Sequence, residues 1–200
     1  MSAITLYSFP FACSLAVRLV LTQHDVPFQT VTVERGPARK VKPPFDEVNP
    51  KRKVPTLDID GERHTEIVAI LHELDGRFVP DRSAADRRRH LEWLSFLATE
   101  VHQAVLGPWF DRDTPEAARL DARDRILPPL LPTLEAGAAQ GTLLGGEPRG
   151  ADAYLLWAVL LLAFVDRELV TPPLAAFRDG MLARPWCGPT VAKERERLRG

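Results

Sequence analysis

Cys13 stands where an extended run gives way to an amphipathic one, which puts a thiol at a helix N-terminus. The amides and dipole there favour an anion, so such a thiol is expected to have a lowered pKa and a reactive thiolate. A small buried core residue is the other reading of a lone cysteine. Position 16 is Ala, so no dithiol pair forms, and any redox role would join Cys13 to an external thiol. Val54-Pro55 opens another extended run. A cis bond there would offer the Val54 backbone to an extended ligand, whereas a trans bond would only mark a strand edge. Glu66, between Thr65 and Ile67, joins a carboxylate suited to an ammonium group with helix-start amides suited to an anion. A plain acidic first turn would look the same. His102 shares a flank with Thr99 and Leu106 at about 100° per residue, where it would reach a ligand or be satisfied by packing.

Other chemistries lack their residues. The five histidines show no ligand-like spacing, and neither Cys13 nor Cys187 has a ligand-like neighbour, so no metal is expected. There is no phosphate-binding glycine loop and no serine nucleophile elbow. Arg87-Arg88-Arg89-His90 follows Asp86, has no interleaved aromatics and lies in a chain of formal charge −1. It reads as a solvated or subunit face, and no nucleic acid is expected as partner. The longest apolar run, Leu155 to Val165, is too short for a bilayer, so no membrane partner is expected either. Two cysteines are too few for a disulfide framework, and no leader-like segment opens the chain, so a cytoplasmic setting is expected.

The elements that must hold these residues follow from periodicity. Residues 3–7 and 28–33 alternate as strands, with a helix from Cys13 to about His24 between them. A basic loop carrying Arg39, Lys40 and Lys42 follows. Residues 54–59 and 62–64 flank Asp60-Gly61, a tight hairpin turn in which both central residues need positive φ. Thr65 is read as the cap of a helix with Val68, Ile70, Leu71 and Leu74 inward. This order implies a small mixed sheet with helices on its faces. The rest reads as helical. A long amphipathic helix is expected over 84–106, with Leu91, Leu94, Ala98, Val101 and Val105 in its stripe. Another starts near Thr114, capped by it, and breaks at Pro128, Pro129 and Pro132. Residues 151–165 are apolar all round, as in a core helix.

The order of these features resembles the cytosolic glutathione transferases over nearly the whole chain. Ala12-Cys13-Ser14-Leu15-Ala16, the Leu94–His102 segment and Pro108-Trp109-Phe110 are similar to the bacterial beta class. The resemblance implies an α/β plus all-α fold: a thioredoxin-like N-terminal domain (βαβαββα) over 1–78, then an all-helical domain over 85–200 that walls the electrophile site. It implies a homodimer with glutathione as co-substrate in a cleft between the domains. Carried over by position, Cys13 lies against the glutathione sulfur, beside Ser14. Val54, before a cis Pro55, pairs its backbone with the cysteinyl unit. Glu66 and the Ile67 amide hold the γ-glutamyl end. Thr99 and His102 reach in from the helical domain, His102 in a catalytic role. Lys53 is the partner for the glycyl carboxylate, with Arg39 and Lys42 as alternatives. Phe9, Phe11, Leu106, Trp109 and Phe110 form the apolar wall.

Three segments depart from the family pattern. Ile67 replaces the usual Ser, which removes a hydroxyl-to-carboxylate bond worth roughly 1.5–3 kcal/mol. Phe9 and Phe11 replace small residues before the cysteine. Arg149-Gly150-Ala151-Asp152 keeps the aspartate of a capping motif but not its hydroxyl, at a cost of about 1 kcal/mol. The function expected is detoxifying conjugation of glutathione to a small apolar electrophile, thiol-disulfide exchange through Cys13 on a disulfide substrate, or both. The alternative is a non-catalytic binding or assembly module with this fold.

Overall fold

The computed structural model describes residues 3–34 and 44–199. Arg39, Lys40 and Lys42 lie outside the described residues. The chain divides into two compact units, residues 1–80 together with 184–200, and residues 81–183. The helical domain is expected over 85–200. Its last helix packs with the first unit instead.

In the first unit the order is β1 (Ile4–Ser8), α1 (Ser14–Gln23), β2 (Gln29–Thr32), α2 (Phe45–Val48), β3 (Thr56–Ile59), β4 (Glu62–Thr65) and α3 (Ile67–Phe78). The sheet order is β2-β1-β3-β4. β1 and β2 are parallel, with Leu6 opposite Thr30, and α1 is the crossover between them. β3 runs antiparallel to both β1 and β4. Asp60 (φ 54°) and Gly61 (φ 88°) make the two-residue turn between β3 and β4, as the Asp-Gly pair requires. Every residue of α1 from Ser14 to Leu21 is buried, because the helix touches β1, α3 and the late helix of residues 187–199. Tyr7, Val33, Phe45 and Val48 form a satellite core against which Val31 and Val54 pack. Thr65 ends β4 and does not cap α3. Glu66 is the boundary residue, in a left-handed conformation at φ 71°.

The second unit is helical. It runs through α4 (Ala84–Phe96), a π-helical segment (Leu97–Leu106), α5 (Gly107–Phe110), α6 (Glu116–Asp121), α7 (Leu131–Ala138), α8 (Gly150–Val165) and α9 (Pro172–Leu182). The single long helix read over 84–106 thus widens at Leu97 into i→i+5 geometry, with the Gly107 amide donating to the His102 carbonyl. More residues per turn shift the phase of every later side chain. Leu94, Val101 and Val105 keep the inward stripe, while Leu91 is exposed. Thr114 is spent on Asp111, to which its hydroxyl donates at 3.0 Å, and Pro115 precedes α6 instead. The prolines do divide the next stretch. Pro128–Leu130 forms a 3₁₀ turn, and Pro132 sits in the first turn of α7.

α8 is the core of this unit, buried continuously from Gly150 to Leu162. Its start lacks a hydroxyl cap. Asp152 accepts from the Leu143 amide at 2.7 Å and the Arg149 amide at 2.8 Å. The Ala151 amide, which a serine or threonine would have served, donates to Nε2 of the buried His90 at 3.2 Å. A side chain from α4 thereby takes over the cap. α10 (Cys187–Arg199) returns to the first unit. Among the described residues no helix is long and apolar enough to cross a membrane.

Candidate active site

The first unit gathers its site residues at the ends of β1, β3 and β4 and the starts of α1 and α3. Cys13 is the boundary residue of α1, and its Sγ donates to the Val54 carbonyl across 3.6 Å. Val54-Pro55 is a cis peptide. Cys13 is only 7% exposed. Burial pushes its thiol up to about 12, against the opposing pull of the Cys13 and Ser14 amides and with a further push from the Glu66 charge. The lowered pKa expected from the helix start is therefore overturned: loss of water outweighs two amides. Ser14 is buried, and its hydroxyl donates to the Phe9 carbonyl at 3.3 Å, closing the turn. That leaves its amide, not its hydroxyl, for a ligand.

The turn before Cys13 is held from far along the chain. Phe11 sits at φ 59°, and its amide donates to Glu194 Oε2 of α10 at 3.2 Å. Glu194 Oε1 meets Arg18 Nε at 3.0 Å with both side chains buried. Arg18 in turn donates to Thr30 Oγ1 and Ser8 Oγ on the two parallel strands. Phe9 and Phe11 are half-buried beside this network. Neither Arg18 nor Glu194 was singled out in the sequence, because only the packing of α10 on α1 brings them together.

Glu66 has an exposed carboxylate that makes no cap bond to its own helix and instead meets Lys51 Nζ at 2.5 Å. Ile67, the next residue, is buried, so its side chain belongs to the core. Lys51 received no site role from the sequence; it lies in the Asn49-Pro50-Lys51 segment ahead of Val54-Pro55. Buried Asn49 holds this loop, with Nδ2 donating to the Lys53 carbonyl at 2.8 Å and to Thr56 Oγ1 at 3.1 Å. The side chain of Lys53 is exposed, and Pro55 is buried under the loop.

The helical unit carries the remaining candidates. His102 lies in the π-helical segment, with Nδ1 2.6 Å from the hydroxyl of buried Tyr154 on α8. The His102 ring also stands edge-on to Trp157, with centroids 4.5 Å apart. Tyr154 is a partner the sequence did not reveal. Thr99 is exposed and hydrogen-bonds the Ser95 carbonyl at 3.1 Å. Leu106 is fully buried. Trp109 is half-buried and Phe110 exposed on α5. Among the described residues no three His, Cys, Asp or Glu side chains cluster as a metal site would require.

This chain is similar to known proteins. The family model for the N-terminal domain of glutathione S-transferases matches residues 12–77. Glutathione S-transferase GstA of Escherichia coli O157:H7 is 34% identical over 190 residues, spanning 90% of this chain and 93% of its own. A sphingomonad glutathione S-transferase solved with glutathione matches with TM-score 0.85 and 31% identity, over 96% of this chain and 98% of its own. A bacterial beta-class enzyme of Sphingomonas chungbukensis matches with TM-score 0.84 and 31% identity, over 95% and 98%. With its thioredoxin-like first unit, its helical second unit and relatives that extend over nearly its full length, this chain belongs to the glutathione S-transferase family.

Proposed function

We propose that the protein conjugates glutathione to small apolar electrophiles and that the reacting sulfur is glutathione's own. The state of Cys13 carries this reading. A thiol pushed up to about 12 keeps its proton at neutral pH and acts as a donor beside the Val54 backbone, not as a nucleophile. Glutathione would bind through Ser14, Val54, Pro55, Glu66, Ile67 and Lys53, with Thr99 contributing and His102 as a catalytic residue. Phe9, Phe11, Trp109 and Phe110 would hold the apolar co-substrate. The roles of these residues rest on the family resemblance, as do a homodimer and a cytoplasmic setting. A chloronitrobenzene assay with retention on immobilised glutathione tests the proposal. Retention, turnover and a Cys13→Ser variant that still conjugates are expected. Failure to bind glutathione would leave the module reading standing.

The Cys13 and Ser14 amides, which pull toward the thiolate, favour a second reading. In it, Cys13 attacks oxidised glutathione, one protein–glutathione disulfide forms, and one glutathione thiolate leaves. Mass spectrometry after incubation with oxidised glutathione should then show one added glutathione, absent in Cys13→Ser.

A further inference from the structure

We propose that Lys51 is a specificity-determining residue, forming with Glu66 a paired receptor for the α-ammonium and α-carboxylate of the γ-glutamyl group. The inference rests on the glutathione reading above and assigns one end of that ligand. Glu66 would take the ammonium. Ile67 has no hydroxyl for the carboxylate and turns its side chain into the core. A cation is nevertheless present at this point, because Lys51 Nζ lies 2.5 Å from Glu66 Oε1. An ammonium carries three donors, so it can keep Glu66 and still give a hydrogen bond to a ligand carboxylate.

The pair is held in place from its backbone. The Lys51 amide donates to Asn49 Oδ1 at 3.0 Å, and Asn49 is itself buried and tied to Lys53 and Thr56. Arg52 (φ 54°) and Glu66 (φ 71°) both sit in left-handed backbone that non-glycine residues rarely adopt. Backbone of this kind persists where the surroundings over-determine it, commonly at ligand sites. The side chains are 49% and 63% exposed, so a solute reaches them, and an exposed pair of this kind adds little to stability. Opposite charges side by side match the opposite charges that an α-amino acid carries on one carbon.

Calorimetry on the full chain tests this with two probes, S-methylglutathione and its analogue lacking the α-carboxylate. The wild type is expected to bind the first at least about tenfold more tightly, the scale of one charge-assisted hydrogen bond. Lys51→Gln should lose about that factor for S-methylglutathione and less than about twofold for the analogue, while Lys51→Arg keeps most of the affinity. Unchanged discrimination in Lys51→Gln would overturn the proposal while leaving the glutathione reading intact. A wild type that binds neither probe would overturn both, and binding of the analogue confirms that each variant is folded.

Discussion

A thiol at the start of α1 feels two opposed effects. The Cys13 and Ser14 amides stabilise its anion, while burial removes the water an anion needs. Burial prevails, and the same holds for Cys187, pushed up to about 12 inside the first turn of α10. Alkylation of the native protein near pH 8 should therefore be at least about tenfold slower than that of a free thiol. A rate equal to that of free cysteine would contradict the burial argument. The sign of the pH effect on stability follows. An unfolded cysteine releases its proton near 9, whereas these two keep theirs to about 12 in the folded state. The folded chain binds more protons across that window, so their contribution is intact below about 9 and is lost as pH rises toward 12. Melting temperature should fall through this range, and Cys13→Ala with Cys187→Ala should flatten the fall. Cys13 could be placed from sequence because its position depends on neighbours. Its pKa could not, because that depends on what packs around it.

The start of α8 shows how an element finds a substitute for a missing residue. His90 accepts the Ala151 amide where a hydroxyl cap would have served, and Asp152 holds two further amides. His90→Ala should cost about 1–3 kcal/mol, the penalty for an unsatisfied buried donor. Arg149→Ser should recover about 1 kcal/mol of it, because residue 149 is extended as a cap must be, and should help less in the wild type. Additive effects in denaturant titrations of the two variants and their combination would refute the exchange of roles. α7 offers a sharper case of close fit. A Cβ on Gly137 would come within 2.7 Å of the Trp93 ring and 2.8 Å of a Leu143 methyl. Gly137→Ala should destabilise by about 1–3 kcal/mol despite its higher helix propensity, and a stabilised variant would show that the ring can shift. The Asp-Gly hairpin, the proline break and the apolar α8 were all legible, since each is dictated by residues adjacent in sequence. The π-helical widening at Leu97 was not. It changes no residue type and so leaves no signal in the sequence pattern.

Across the whole chain the least legible feature is the return of α10. Residues 193–199 read as a charged, solvated helix end, yet Glu194 is buried against Arg18 and holds the Phe11 amide 183 positions earlier. No local pattern announces a partner so distant. Glu194→Ala would leave the Arg18 guanidinium buried without its carboxylate, at a cost of about 3–5 kcal/mol. Hydrogen exchange should speed up at residues 11–16 in that variant, while α8 keeps its protection. Uniform loss of protection in both units would mean that the contact is not local to the turn. The return of α10 also sets an order of events during synthesis. Residues 81–183 form a continuous unit, but 1–80 are completed only by residues 184–200. Nascent chains usually fold from the N-terminal end as domains emerge. Here the helical unit has left the ribosome before the Cys13 turn can receive its clamp, so the part made first is the part finished last.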